Sequence, residues 1–426
     1  MLDRRFVLEN VEVVEENCRR RGSNADVRRF AELETQRRAK QIEADELNRK
    51  ANEVSKSIGK AKDAAEREAR KALGRSLREQ SAAAAAELEQ ATAEADAILR
   101  TIPNLSHPDA PVGADEQANL ELRHGQHARP KFDFKPRDHV ELGEELDLID
   151  FAGGAKVAGH GFYFLKNEAV LLELALQRYA VDLLVAEGFV PTITPDLARN
   201  EILDGTGYIP RGPETQIYSI ADSDLSLVAT AEITLGGLLS GEILRAEQLP
   251  IKLCGISHCY RTEAGAGGRA ARGLYRVHQF TKVEMFAFTL PEASDAMLDY
   301  FCELECRLFD GLGIAYRVVD TATGDLGGPA YRKFDLEAWM PGRGESGEFG
   351  EVTSTSNCTD YQARRLGIRY RTGEKGTAPV HTLNGTAIAI SRALVAILEN
   401  YQQADGSVAV PDVLKLWVGK DRIPAR

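Results

Sequence analysis

The stretch from residue 258 to residue 286 concentrates side chains that could do chemistry: HCYRTEAGAGGRAARGLYRVHQFTKVEMF. Two strand-like segments flank a Gly-rich loop, and Arg261, whose planar fork suits carboxylate or phosphate oxygens, stands just before it. If the second segment is extended, one face carries His278, Phe280, Lys282, Glu284 and Phe286. This hairpin predicts a cleft for a polyphosphate nucleotide and a small amino compound, although the loop alone would equally fit a mobile hairpin tip.

A second cluster, GEFGEVTSTSNCTDYQARR at 347–365, ends a predicted strand with Glu351 and then crowds hydroxyl and amide groups. A carboxylate followed by hydroxyls suits Mg²⁺, which takes a few oxygen ligands and keeps its substrate phosphates. The alternative is a Ser/Thr/Asn-rich turn that caps a helix at 361–365. Taken alone, the cluster leaves both interpretations open.

Two further segments place polar groups at the starts of predicted helices. Residues 381–402 predict a strand, a turn at Asn384-Gly385 and a helix whose apolar run is interrupted by Arg392. A charged group in such a helix needs a partner or a ligand. Thr230-Ala231-Glu232 opens another helix as an ordinary cap with an acidic first turn would.

Composition limits the class of protein whose elements must position these residues. Of the 426 residues, 43% are hydrophobic and 28% are charged, which suits a globular chain with two or three cores. The sequence has no run of about 18 apolar residues and no signal-peptide pattern, so we expect no membrane association and a cytoplasmic location. No pair among the six cysteines has CxxC spacing, and a zinc site at Cys254, His258 and Cys259 would lack a fourth ligand. We therefore expect six buried thiols.

The first hundred residues predict an antiparallel helical hairpin. Helix formers run from about residue 26 to residue 58, and a coiled-coil spacing is set by Leu47, Ala51, Val54 and Ile58. The pattern falters at 59–74 and resumes at 77–98. Residues 1–100 carry 21 Lys and Arg against 20 Asp and Glu, whereas the rest carries 32 against 45, so the hairpin is where a polyanion is best tolerated. The competing explanation is that the basic residues of the hairpin lie on solvated helix faces and pair with acidic residues at i,i+4 spacing.

The rest of the chain predicts an α+β domain. Residues 101–136 hold five prolines and no periodicity, which indicates a linker and a domain boundary near residue 105. An amphipathic helix at 161–188 leads to Pro191 and Pro195, which indicate an edge strand or an extended interface segment. Because no βαβ series, GxGxxG after a strand or GxxxxGK[ST] occurs, an antiparallel sheet is favoured over a Rossmann or P-loop fold.

In this order the motifs resemble those of class II aminoacyl-tRNA synthetases, and more specifically of seryl-tRNA synthetases. The similar segments span essentially the whole chain: a two-helix arm joined through TIPN (101–104), TAE (230–232), RTEAGAGGRAARGLYRVHQFTKVEMF (261–286), EVTSTSNCTDYQARR (351–365) and LNGTAIAISRALVAILEN (383–400). The resemblance implies an α+β fold with an N-terminal antiparallel two-helix coiled-coil arm that binds tRNA, residues 1–105. A class II catalytic domain on a mainly antiparallel, six-stranded β-sheet, residues 106–426, would follow.

The resemblance also implies an activity, the ATP-dependent attachment of L-serine to tRNA(Ser) through a seryl-adenylate. The implied enzyme is a homodimer in which the arm of one subunit presents tRNA to the active site of the other. tRNA(Sec) is a further implied acceptor in an organism that uses it, because that tRNA is first serylated.

Site residues follow from the same resemblance, position by position. The implied catalytic residues are Arg261, Glu284 and Arg392. The implied serine site consists of Thr230, Ala231, Glu232, Arg261, Glu284, Asn384 and Thr386. The implied ATP site consists of Arg261, Thr262, Glu263, Val277, Phe280, Glu351, Val352, Thr353, Ser354 and Arg392, with Mg²⁺ on Glu351 and Ser354. In these roles Arg261 bridges the serine carboxylate and the α-phosphate, while Phe280 and Arg392 cover the two faces of adenine.

Two features depart from the family pattern. Ala270 and Ala271 in the hairpin loop replace a common Asp-Thr pair, and the stretch 341–351 is a few residues longer than expected. The alternative function is a synthetase-like paralogue that activates an amino acid or binds tRNA without charging it. A paralogue that only binds is expected to have lost Arg261, Glu351 or Arg392, and all three are present. Relatives that activate an amino acid for another carrier lack the N-terminal arm, which this sequence has.

Overall fold

The computed structural model describes residues 1–208, 216–263 and 273–426. It divides the chain into two compact units, Met1–Leu105 and Ser106–Arg426. The described helices are α1 (Arg4–Glu9), α2 (Val11–Arg20), α3 (Val27–Ser57), α4 (Ala64–Thr101), α5 (His139–Glu145), α6 (Phe151–Ala158), α7 (Glu168–Ala186), α8 (Asn200–Thr206), α9 (Ala231–Gly237), α10 (Ser294–Gly311), α11 (Tyr361–Leu366), α12 (Ile390–Asn400) and α13 (Lys415–Val418). Among the described residues, no helix is both long and apolar enough to cross a bilayer.

The N-terminal unit is built on the antiparallel pair α3 and α4. Contacts between the two helices run in opposite chain directions, because Lys40 pairs with Glu87 whereas Val54 lies beside Gly74. Small side chains let the helices approach closely, and the buried ones include Ala44, Ala51, Ala84 and Ala95. The predicted helical hairpin is therefore confirmed. The second helix begins at Ala64, before the seam pattern resumes, with Asp63 accepting a hydrogen bond from the Glu66 N–H as its cap.

One large sheet organises the second unit. Its strands in the described residues are β1 (Leu120–His124), β2 (Val190–Ile193), β3 (Ile251–Tyr260), β4 (Gln279–Thr289), β5 (Tyr316–Asp320), β6 (Arg332–Met340), β7 (Glu348–Thr359) and β8 (His381–Ala389). The spatial order is β1-β5-β6-β7-β8-β4-β3-β2, and every neighbouring pair is antiparallel except β3 with β2. Shorter strands outside this sheet are Ile149–Asp150, Phe164–Leu165, Leu197–Arg199, Leu225–Leu227, Ile243–Leu244, Arg369–Arg371, Thr377–Pro379, Val408–Ala409 and Arg422–Ile423.

The α+β class and the mainly antiparallel sheet predicted from the sequence are confirmed. The described sheet has eight strands, however, rather than the six implied by the resemblance. Strand β1 lies in the stretch 101–136 that the sequence indicated as a linker. All of its residues are exposed, so it lacks the alternation of apolar and polar residues that would have revealed it.

Alternation along β4 separates the two faces of the sheet. Val283, Met285 and Ala287 join the main core, to which α7, α10 and α12 also contribute. Phe286 and Phe288 pack instead with residues of α9. Side chains at even-numbered positions of β4 therefore share the face on which α9 lies.

Two local expectations from the sequence are wrong. The Asn384-Gly385 pair is not a turn, because both residues lie within β8. The glycine is required by packing: a Cβ at Gly385 would lie 2.8 Å from Thr355 Oγ1 and 3.1 Å from Met285 Cε. The helix expected at 161–188 is shorter, since α7 begins only at Glu168 and the preceding residues include the strand Phe164–Leu165.

Candidate active site

Cross-strand pairing gathers polar residues from neighbouring strands onto the face that carries α9. Glu284 of β4 lies opposite Thr386 of β8, and Asn384 of β8 lies opposite Ser356 of β7. Directly opposite residues of antiparallel strands point to the same side of a sheet. The predicted shared face of Phe280, Lys282, Glu284 and Phe286 is thus confirmed, while His278 precedes the strand.

A buried polar pocket surrounds Glu232, the second residue of α9. Its carboxylate accepts hydrogen bonds from Tyr208 Oη at 3.1 Å, Gln362 Nε2 at 2.7 Å and Asn384 Nδ2 at 2.9 Å. Burial, reinforced by the negative charge of Glu284, raises the pKa of Glu232 to about 7. This acid can therefore gain or lose its charge near neutral pH.

α9 itself is held against the sheet by local features of the sequence. Thr230 caps the helix, because its hydroxyl accepts a hydrogen bond from the Glu232 N–H at 3.3 Å. The helix approaches β3 at Gly255, where a Cβ would lie 2.8 Å from Leu235 Cδ1 and 3.0 Å from Ala231 Cβ. The predicted Thr230-Ala231-Glu232 helix start is thereby confirmed, and it points Glu232 into the pocket.

A buried ion pair lies beside this pocket. Lys282 Nζ is 2.5 Å from Glu284 Oε2 and donates a hydrogen bond to Thr386 Oγ1 at 3.3 Å. The Thr386 hydroxyl is also 3.5 Å from Glu284 Oε2. A small ligand with a hydroxyl and an ammonium group would find donors and acceptors here, whereas an apolar one would leave them unsatisfied.

A bulge in β7 places Glu351 and Ser354 on the same face although they are three residues apart. Glu351 lies opposite Glu337 and Ser354 lies opposite Asp335, and the two β6 residues share a face because they are two apart. Val352 is the extra residue that interrupts the pairing. The same shift turns Thr353 to the other face, where its hydroxyl donates to Glu305 Oε2 at 2.9 Å.

The oxygen atoms of Glu351 and Ser354 suit a hard cation. Burial opposes ionisation of Glu351, but the neighbouring charges of Arg392 and Lys333 prevail and lower its pKa, so the carboxylate is ionised at neutral pH. Asp335, opposite Ser354, has a buried Oδ1 without a hydrogen-bond partner. In the described parts of the chain, no three His, Cys, Asp or Glu residues form a metal site by themselves. Substrate oxygens would have to complete the coordination, as Mg²⁺ sites commonly require.

A cavity lined by β4, β7 and the start of α12 brings most of the predicted ATP residues together. They are Arg261, Glu263, Val277, Phe280, Glu351, Val352, Thr353 and Arg392. The Arg261 guanidinium lies 5.3 Å from the centre of the Phe280 ring, and Arg392 Nη1 lies 2.8 Å from Glu351 Oε1. The cavity thus combines cations, a carboxylate and an aromatic ring, as the hairpin sequence predicted.

Some expected residues lie apart from this cavity, and others were missed. Thr262 contributes a backbone N–H that donates to Gln216 O at 3.0 Å. Ala270 and Ala271 lie outside the described residues. The sequence did not single out five residues that border the cavity or hold Glu232, namely Tyr208, Tyr275, Arg276, Gln362 and Ser391. Lys282, predicted on the strand face, does line the cavity, whereas Tyr208 and Gln362 meet Glu232 only through tertiary folding.

Where the structure describes the chain, no cysteine belongs to a group of three His, Cys, Asp or Glu side chains that could hold a metal ion. All six are buried, as predicted, and none belongs to a disulfide. His258 lies 3.1 Å from an oxygen of Asp196, and Cys259 is fully buried on the same strand.

Comparisons with known proteins agree along the whole chain. Residues 1–106 match the model of the seryl-tRNA synthetase N-terminal domain, and residues 218–401 match the tRNA synthetase class II core domain (G, H, P, S and T). The chain is 61% identical over 422 residues to a serine--tRNA ligase of Rhodopirellula baltica, with 99% of each chain covered.

Solved structures show the same similarity in three dimensions. A seryl-tRNA synthetase from Pyrococcus horikoshii complexed with ATP superposes with a TM-score of 0.93 at 40% identity, covering 100% of both chains. A cytoplasmic serine-tRNA ligase from Naegleria fowleri in complex with AMP gives a TM-score of 0.86 at 34% identity, covering 98% of this chain and 96% of that one.

Proposed function

Because this chain belongs to the seryl-tRNA synthetase family of class II ligases, we propose that it charges tRNA(Ser) in two steps. In the first step an oxygen of the serine carboxylate attacks the α-phosphorus of ATP, a new O–P bond forms, and pyrophosphate leaves with the electrons of the broken bond. In the second step the terminal hydroxyl of tRNA attacks the carbonyl carbon of seryl-adenylate and AMP leaves. tRNA(Sec) is a second acceptor in an organism that uses it.

The first step joins two anions, so positioning and neutralisation of charge supply most of the catalysis. No general base is needed, because the serine carboxylate is already ionised at neutral pH. Arg261 bridges the carboxylate and the α-phosphate in this proposal. Its place beside the Phe280 ring, at 5.3 Å, supports a role between the two substrates.

The serine pocket consists of Thr230, Ala231, Glu232, Glu284, Asn384 and Thr386 together with Arg261. The buried polar contacts around Glu232 and Glu284 support this assignment. Glu284 and Thr386 bond the serine hydroxyl, and Glu232 faces the ammonium. Alanine is rejected strongly, because it would leave these buried groups without partners.

The nucleotide lies in the cavity of β4, β7 and α12. Phe280 stacks on one face of adenine and Arg392 covers the other, while Glu263, Val277 and the backbone from Thr262 and at 351–354 complete the site. Mg²⁺ on Glu351 and Ser354 neutralises phosphate charge when bound. The ionised Glu351 carboxylate and its shared face with Ser354 support this assignment.

The N-terminal arm binds tRNA by neutralising backbone phosphates. Its support is the exposure of Lys56, Lys60 and Lys62 around the turn between α3 and α4. Basic residues farther along the helices, such as Lys40 and Arg49, pair instead with glutamates. Lys56, Lys60 and Lys62 are therefore the better candidates for phosphate contacts.

The enzyme works as a homodimer in the cytoplasm. Exposed apolar side chains on α7 and on the edge strand β2 support a self-complementary interface, and they include Leu171, Leu174, Val190 and Ile193.

The observation that carries the proposal is that Glu284 and Glu351 share one face of the sheet, with Glu232 of α9 bonded to Asn384 and Arg261 beside Phe280 on that face. The test is amino-acid-dependent exchange of pyrophosphate into ATP, run with each of the standard amino acids, followed by charging of tRNA(Ser). We expect exchange with serine and charging of that tRNA. Exchange with another amino acid in preference to serine, or exchange without charging, would refute the proposal in favour of a synthetase-like paralogue.

A further inference from the structure

Tyr275 lies where two cavities meet. One is the proposed nucleotide cavity, which Arg392 also lines. The other is a neighbouring cavity of about 430 Å³, which Arg343 lines. Tyr275 has no role in any step described above, yet it borders both spaces.

One guanidinium group from each cavity lies over the Tyr275 ring. The carbon of the Arg343 guanidinium is 4.3 Å from the ring centre, and that of Arg392 is 4.7 Å from it. A cation within about 6 Å of an aromatic ring is attracted by it, and more strongly where water is excluded. The ring thereby holds Arg392 although its first-turn position in α12 is unfavourable for a positive charge.

The hydroxyl of Tyr275 reaches the backbone of the proposed metal ligand. Tyr275 Oη donates a hydrogen bond to Glu351 O at 3.1 Å, and Arg392 Nη1 donates to the same oxygen at 3.0 Å. Arg392 also pairs with the Glu351 carboxylate at 2.8 Å. The Glu351 carbonyl, next to the β7 bulge, therefore links Tyr275 to Arg392, and Arg392 in turn holds the Glu351 carboxylate.

Gly350 leaves the space that this arrangement needs. A Cβ at that position would lie 2.9 Å from Arg343 Nη1 and 3.1 Å from Tyr275 Oη. Both the arginine over the ring and the hydroxyl at the end of it would have to shift.

We propose that Tyr275 is a positioning residue for ATP, which fixes Arg392 and Glu351, and that Arg343 acts on ATP binding only through the Tyr275 ring. The inference rests on the proposed function, since that function assigns Arg392 and Glu351 to the nucleotide. The side chains around serine, Glu232 and Glu284, are held by Tyr208, Gln362, Asn384 and Lys282. Tyr275 therefore affects the binding of ATP and not the binding of serine.

The experiment measures ATP binding by calorimetry, with Mg²⁺ and without amino acid, on the full chain and on five variants. Tyr275→Leu removes both the ring and the hydroxyl, and we expect the Kd for ATP to rise about tenfold. Tyr275→Phe keeps the ring, and we expect a rise of about threefold from the lost hydrogen bond. Arg343→Met is expected to raise the Kd about threefold in the wild type and to have no further effect in the Tyr275→Leu background.

Pyrophosphate exchange on the same proteins gives the KM for serine, which is expected to stay unchanged. Tyr401→Phe is the matched control, because it also removes a hydroxyl that donates to a backbone carbonyl, Leu312 O at 2.5 Å, but Tyr401 lines neither of the two cavities, so it should change neither constant. If Tyr275 had a merely structural role, its substitution would raise the Kd for ATP and the KM for serine together. The inference would be overturned by that joint rise, by an unchanged ATP Kd in Tyr275→Leu, or by additive effects of the Tyr275 and Arg343 substitutions. Absence of serine-dependent exchange in the wild type would overturn the proposed function instead, while the calorimetry would still decide the role of Tyr275.

Discussion

Glu232 shows how burial changes the chemistry of a single side chain. A glutamate in water is ionised at neutral pH, but burial and the nearby Glu284 raise the pKa of Glu232 to about 7. Its three donors stabilise the anion only in part. A ligand that brings a positive charge into this pocket would therefore bind more tightly when the carboxyl is ionised.

The first prediction concerns the pH dependence of serine binding. Below pH 7 the free enzyme holds Glu232 protonated, so the KM for serine is expected to rise as the pH falls, approaching about tenfold per unit at about pH 6 and below. Above pH 7 the carboxyl is already ionised, and the KM should level off. Pyrophosphate exchange at saturating ATP measures this profile.

The matched variant for this prediction is Glu232→Gln. Its amide can still accept from Gln362 and Asn384 at one end but does not ionise. We expect a raised serine KM without the inflection near pH 7. A wild-type profile that stays flat between about pH 6 and about pH 8 would contradict the assignment of Glu232 to the ammonium group.

At the scale of elements, the irregularities of the strands build the site. The bulge at Val352 turns Glu351 and Ser354 to one face, and a second shift in β8 at Ala387 lies next to Thr386. Regular strands would have sent alternate residues to opposite faces. β8 also runs through the middle of the sheet, where Gly385 allows Thr355, Met285 and Phe301 to pack together.

The second prediction concerns Gly385 in β8. In Gly385→Ala the new Cβ would meet Thr355 Oγ1 at 2.8 Å with buried side chains on every side, so we expect the free energy of unfolding to fall by about 1–3 kcal/mol. Denaturant titration measures the change. Gly327→Ala is the control, because nothing lies within 4 Å of a Cβ there, and it should leave stability nearly unchanged. Equal midpoints for the two variants would show that β8 yields more readily than its packing indicates.

The two units of the molecule carry different parts of the proposed activity. Residues 1–105 form the helical arm, and the described site residues all belong to Ser106–Arg426. Net charge also differs, since residues 1–100 carry +1 whereas the rest of the chain carries −13. A polyanion such as tRNA is therefore repelled less by the arm than by the remainder.

The third prediction separates these parts. Deletion of about residues 26–100 is expected to spare serine-dependent pyrophosphate exchange, because the substrates of that step are small and their proposed contacts lie in the second unit. Charging of tRNA(Ser) should be abolished, because the phosphate contacts of the arm are lost. Both activities are measured on one preparation. A parallel loss of both would contradict the division of labour.

The sequence by itself determined the arm, the two paired strands that flank residues 264–272, the helix start at Thr230 and the shared strand face of Phe280, Lys282 and Glu284. These features depend on residues close in the chain, whose periodicity and caps are local properties. Only the tertiary structure decided that Asn384 lies in a strand, that β1 joins the sheet, and that Tyr208, Gln362 and Tyr275 reach the site. Those outcomes depend on cross-strand register and on packing between segments far apart in the chain, which no local pattern of residues specifies.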